Sequence, residues 1–162
     1  MSADPRAMPS DPPAAIRHSR IRLVTTDLPE IVAEPSDRVR GPEAAARLIA
    51  AFIGQKDREH FVVVHLSTQH EPVAVETIAI GHLSAALVHP REVFKGAILA
   101  NAASIIIGHN HPSGDLTFSP EDRQIWKHIR EAGELVGIQV LDFLVVAGTR
   151  WCTIVQQGDA GP

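Results

Sequence analysis

His109 and His111 stand two residues apart, and Ser119 and Asp122 follow at a spacing of three from each other. Neutral imidazole nitrogen and carboxylate oxygen both suit zinc, which they bind at roughly 2.0–2.2 Å. Two histidines and an aspartate supply three protein ligands and leave a fourth position for water. That is how catalytic zinc sites are built, whereas structural sites close all four positions. The chemistry to expect is hydrolysis at a metal.

The elements that must position these residues can be read around them. Residues 102–108 read Ala-Ala-Ser-Ile-Ile-Ile-Gly, a β-branched apolar run that predicts a buried strand ending at Gly108. In extended backbone, residues i and i+2 point to one face, so His109 and His111 should emerge together from the strand end. Pro112, Ser113, Gly114 and Asp115 make a turn. Ser119 then opens a helix as its N-cap, with Pro120 at the first helical position and Asp122 one turn in. Each residue taken alone has a simpler explanation: polar loop histidines, a helix cap, an acid near a helix N-terminus. The joint spacing in a strand–turn–helix context favours the metal.

The string His109-Asn110-His111-Pro112, with Ser119 and Asp122 at their spacing, resembles the JAMM motif of the JAB/MPN metallopeptidases. The longer string through Ser113 and Gly114 is similar to the bacterial RadC-like branch of that family, as are Val88-His89-Pro90-Arg91-Glu92-Val93 and Ala100-Asn101-Ala102-Ala103. The resemblance runs from about Pro42 to Gln157. It implies that His109, His111 and Asp122 bind Zn2+, that Ser119 hydrogen-bonds the reacting water or the oxyanion, and that a glutamate on an earlier strand is the general base. Glu59, heading the apolar run His60-Phe61-Val62-Val63-Val64, is the best match for that base, with Glu71 and Glu76 as alternatives. From the residues alone, a strand-end carboxylate facing solvent is the better account of Glu59. The implied activity is that of a zinc metallopeptidase cleaving a peptide, isopeptide or other amide. The chain departs from the family at Leu141-Asp142-Phe143, where relatives commonly have Asp-His. Longer relatives carry an N-terminal helical region suggestive of DNA binding, for which too few residues precede the core here.

Periodicity orders the rest of the chain. A helix is expected over Glu43–Ile53, strands over His60–Leu66 and Val73–Ile80, and a helix over Arg91–Leu99. After the motif, a helix from Ser119 to about Val136 is stopped by Gly137, and Ile138–Val146 and Trp151–Val155 form a closing hairpin. Ile21–Thr25 gives a weak strand signal. The order α-β-β-α-β-α-β-β predicts an α/β protein with a mixed sheet flanked by helices, and the resemblance makes that the MPN/JAB fold, akin to cytidine deaminase. Residues 1–40 read as a disordered or weakly structured extension, 41–157 as the domain and 158–162 as a tail.

Composition narrows the function classes. The chain has 162 residues, a formal charge of −4 and one cysteine, Cys152, read as a small core-facing strand residue. The cysteine count excludes an internal disulfide framework and fits a reducing cytoplasm. No apolar run reaches membrane-spanning length. The negative charge argues against a dominant nucleic-acid surface. A zinc deaminase would need Pro-Cys-x-x-Cys, which one cysteine cannot supply. A nuclease or DNA-repair accessory is suggested only by family association, and a non-catalytic interaction module is disfavoured because every expected ligand is present. A protein or peptide substrate is expected, and a homodimer stays open. His65 shares the strand periodicity of Phe61 and Val63, which would turn it toward the site, but a packed or solvated histidine is the simpler reading. Trp126 is read as core.

Overall fold

The computed structural model describes residues 38–82 and 88–158. The weak strand signal at Ile21–Thr25, nearly all of the 1–40 extension, part of the crossing after Gly81 and the end of the tail lie outside these residues.

Helix α1 spans Pro42–Ile53, β1 His60–Leu66, β2 Pro72–Ile80, α2 Pro90–Leu99, β3 Ser104–Asn110, α3 Pro120–Val136, β4 Gln139–Ala147 and β5 Arg150–Thr153, followed by a 3-10 turn at Val155–Gln157. The five strands form one sheet in the order β2-β1-β3-β4-β5. β1 pairs antiparallel with both β2 and β3, β3 runs parallel to β4, and β4 and β5 are antiparallel. The mixed α/β sheet expected from the order of elements is therefore the architecture found. A parallel β3–β4 pair requires a crossover, and α3 is that crossover.

Strand alternation separates two cores. Phe61 and Val63 of β1, Ile105 and Ile107 of β3, and Phe143 and Val145 of β4 face α2 and α3, where Val93, Phe94, Ile125, Trp126 and Ile129 meet them. Val62, Val64, Ile106, Leu144 and Val146 point the other way, onto Ala45, Ala46, Ile49 and Ile53 of α1. Those α1 residues recur at three to four positions, which is one helix face. Covered on both sides, β3 is buried at every residue from Ser104 to Asn110, as its unbroken apolar run requires. Trp126 is in the core as expected, with the Arg130 guanidinium 5.4 Å from its ring centre.

Two strands end two residues away from the sequence expectation. β3 continues past Gly108 to Asn110, because His109 and Asn110 still find backbone partners in Val145 and Val146 of β4. β5 stops at Thr153 instead of Val155. There the Gln156 amide N–H donates to Thr153 Oγ1 and the Thr153 N–H donates to Gln156 Oε1, which turns the chain. Cys152 is half-buried, since β5 is an edge strand, and its Sγ accepts from Gln157 Nε2 at 3.3 Å. Gly137 does stop α3, with φ at +73° in the left-handed region.

Candidate metal centre

β3 delivers the first ligand. His109 is 1 % exposed and sits inside the sheet opposite Phe61 of β1. Its ring is boxed by aromatics, with centroids 5.3 Å from Phe143 and 6.4 Å from both Phe61 and Phe118. None of these rings accepts a conventional hydrogen bond, and both ring nitrogens are buried without a hydrogen-bond partner among the described residues. Burial pushes the His109 imidazole down to about 4; the Asp122 carboxylate opposes this and His111 adds to it. The ring is therefore neutral at ordinary pH and offers a lone pair to a cation.

His111 lies one residue beyond the strand, its ring 4.5 Å from that of His109 and nearly perpendicular to it. The i, i+2 expectation thus holds, although the chain is already leaving the sheet. The His111 N–H donates to Val146 O at 2.9 Å, which guides that exit. His111 Nδ1 lies 2.8 Å from Asp115 O. A carbonyl only accepts, so Nδ1 carries the proton and Nε2 presents its lone pair. Arg150 Nη2 donates to Gly114 O at 2.7 Å, tying the motif turn to the β4–β5 hairpin.

Helix α3 brings the third group. Ser119 is its N-cap and Pro120 starts it, as the sequence predicts. Ser119 Oγ accepts from the Asp122 N–H, and Asp122 Oδ2 accepts from both the Ser119 N–H at 2.8 Å and Ser119 Oγ at 2.7 Å. Asp122 is 3 % exposed, and its other oxygen, Oδ1, lies 3.5 Å from His109 Nε2. One ligand atom from each of His109, His111 and Asp122 falls within 4.8 Å of the others. These three residues can hold a metal ion, and the stranded nitrogen of His109 is what such an ion would satisfy.

The carboxylates proposed as bases are spread along β1 and β2. Glu59 is half-buried at the head of β1, where its carbonyl accepts from the Gly81 N–H at 2.8 Å. The β1–β3 pairing ends at Phe61–His109; continued by two further pairs, that register would bring Glu59 level with His111. Glu71 lies beyond the opposite end of β1 and pairs with Arg38 at 3.5 Å. Glu76 is level with Val63 and pairs with His65 at 3.3 Å. His65 faces the same layer as His109 but is level with Ile105, four residues along β3, or about 13 Å away. It belongs to the Glu76 pair and does not reach the metal centre.

Residues 39–159 match the RadC-like JAB domain.

The chain belongs to the RadC-like JAB domain family.

It is 49 % identical over 108 residues to a UPF0758 protein of Rubrobacter xylanophilus, covering 67 % of this chain and 48 % of that one. A UPF0758 protein of Desulforudis audaxviator is 43 % identical over 120 residues, covering 74 % of this chain and 52 % of that one. One from Desulforamulus reducens is 44 % identical over 120 residues, covering 74 % and 53 %. The chain spans about half the length of these curated relatives. Among the described residues, no helix of this RadC-like domain is long and apolar enough to cross a membrane.

Sequence reasoning passed over Asn110. It is 1 % exposed, and its amide makes hydrogen bonds to the backbone at Lys56, Arg58 and His60. The letters His-Asn-His were visible, but its partners lie some fifty positions away, and no local pattern announces them. Phe143, the departure from the family's Asp-His, is fully buried and forms the wall behind His109. In this chain that wall is apolar.

Proposed function

We propose that this RadC-like domain is a JAMM-type, zinc-dependent hydrolase that cleaves a peptide, isopeptide or other amide bond. The observation that carries the reading is His109: a buried, neutral imidazole whose nitrogens have no hydrogen-bond partner among the described residues, with its ligand atom within 4.8 Å of those of His111 and Asp122. Two imidazole nitrogens and one carboxylate oxygen form a donor set suited to zinc, with a position left open. When bound, zinc supplies a Lewis acid that polarises a carbonyl oxygen and acidifies water to a pKa of about 7.

The chain's own residues divide the remaining work. His111 is held in one tautomer by Asp115 O, and Asp122 is held by Ser119, so both ligands are oriented before a metal arrives. The Ser119 hydroxyl hydrogen is committed to Asp122 Oδ2. Its part is therefore to orient Asp122, and donation to an oxyanion would require that bond to open. Glu59 takes the proton of the attacking water and returns it to the leaving amine. The aromatic wall of Phe61, Phe118 and Phe143 keeps water from the back of His109.

The test is a screen of peptide and isopeptide libraries with the zinc-loaded protein and a chelator control. Glu59→Gln keeps the shape and removes the base, so zinc binding should persist while hydrolysis falls by roughly 100- to 10,000-fold. Undiminished hydrolysis in that variant would remove Glu59 from its role. Hydrolysis indifferent to chelator would remove the metal.

A further inference from the structure

Asn110 stands between the two histidine ligands, yet its side chain turns away from them. Its Oδ1 accepts from the His60 N–H at 2.7 Å, and its Nδ2 donates to Arg58 O at 2.9 Å and to Lys56 O at 3.3 Å. Two of these partners flank Glu59 directly. The third lies at Lys56, in the loop that follows α1, just before the chain enters β1.

The register explains why a side chain is used here. Up to Phe61–His109, β1 and β3 are joined by an ordinary antiparallel ladder. At His111 the β3 chain leaves, and its amide turns to Val146 of β4. The backbone around Glu59 therefore has no strand on the β3 side to pair with. The Asn110 amide replaces the missing rungs, offering one acceptor and two donors in a single plane. Aspartate would lose both donors and set a charge against two carbonyls. Glutamine would reach one methylene too far. On the other side the Glu59 carbonyl is held by the Gly81 N–H at 2.8 Å. The segment is thus held from both neighbouring strands, and the hold on the β3 side comes from the residue between two ligands.

We infer that Asn110 is a positioning residue that locks the backbone around Glu59 to the metal-bearing strand, so that base and ligands keep one spacing. The inference rests on Glu59 being the base, as proposed above. A misplacement of about 1 Å can cost on the order of 100-fold in rate, so a strand entry released from β3 would leave the metal bound and the base out of place.

The experiment replaces zinc by Co2+ and follows the d–d absorption with pH in wild type, Glu59→Gln, Asn110→Ala, Asn110→Ser and the Glu59→Gln/Asn110→Ala double variant. Cobalt affinity in both Asn110 variants should stay within about threefold of wild type, because no ligand is altered. The midpoint of the spectral transition should move by about 0.5 pH unit or more in the direction seen for Glu59→Gln. In the double variant it should coincide with Glu59→Gln alone, since Asn110 acts only through Glu59. Amide hydrogen exchange over residues 57–60 should quicken in both Asn110 variants. The serine variant, which retains a hydroxyl, is read if the alanine variant fails to fold. A transition moved by Glu59→Gln but unmoved by the Asn110 variants, or a double variant displaced well beyond Glu59→Gln, overturns the positioning role alone. A transition identical in wild type and Glu59→Gln overturns Glu59 as the base, and this inference with it.

Discussion

Ser119 and Asp122 hold each other through three hydrogen bonds, two accepted by Asp122 Oδ2 and one donated by the Asp122 N–H to Ser119 Oγ. This reciprocal pair is the capping box that starts α3. It also leaves Oδ1 as the Asp122 oxygen that faces His109, at 3.5 Å. A helix-starting device and a ligand-orienting device are here one set of bonds.

Loss of the Ser119 hydroxyl should therefore be felt twice. Ser119→Ala should cost about 1 kcal/mol of stability, measured by urea unfolding of the metal-free protein. It should also weaken zinc binding by roughly 10- to 100-fold in a competition with a chromophoric chelator, as expected when a ligand loses its supporting partner. Ser119→Thr should recover most of both. A stability loss with unchanged zinc affinity would leave Ser119 only its capping role.

The purified chain should bind about one zinc per molecule, the stoichiometry of a three-ligand site. Elemental analysis of the His109→Ala/His111→Ala variant should show almost none. Because the His109 nitrogens are buried without a hydrogen-bond partner among the described residues, His109→Leu should leave the metal-free protein as stable as wild type, or more stable by about 1 kcal/mol. A large destabilisation in His109→Leu would mean that the imidazole serves packing more than metal.

Asp142 predicts a pH dependence on the opposite face of the sheet. With Arg40, His70, Ile106 and Leu141 it lines a cavity of about 280 Å³ beside α1. Burial pushes its carboxyl up to about 6, against a hydrogen bond from the Phe143 N–H that favours the charged form. The folded protein then keeps the proton to higher pH than the unfolded chain, whose carboxyl titrates near 3.9. The stabilisation is full below about pH 4 and is lost as pH rises through about 6. Partial exposure reduces the effect to roughly 1–2 kcal/mol. Asp142→Asn should therefore match wild type at pH 4 and exceed it by that amount at pH 7.5 in chemical denaturation. Parallel curves across this range would disprove the assignment.

Gly133 should resist replacement even though it lies inside a helix. Alanine in a helix interior ordinarily stabilises by up to about 1 kcal/mol. Here a Cβ would stand 2.6 Å from the Ile138 carbonyl oxygen and 2.9 Å from Val140 Cγ2. Gly133→Ala should destabilise by about 1–3 kcal/mol, because α3 must shift away from the start of β4. A thermal midpoint at or above that of wild type would contradict the close packing.

Much of this molecule was determined by its sequence alone. The apolar runs and their turn residues set the order of helices and strands, and Ser119, Pro120 and Gly137 marked both ends of α3 through local backbone chemistry. His109 and His111 share a face because extended backbone repeats every two residues, so that much of the centre was legible in a short string. Tertiary structure decided what depends on contacts distant in sequence. The sheet order places β3 between β1 and β4, and this burial makes His109 neutral and leaves its nitrogens without hydrogen-bond partners among the described residues. Pairing across the sheet, not local pattern, sent His65 to Glu76 and took Asn110 to the backbone around Glu59. The backbone periodicity is written residue by residue, but a hydrogen bond between positions 60 and 110 exists only once the chain has folded to bring them together.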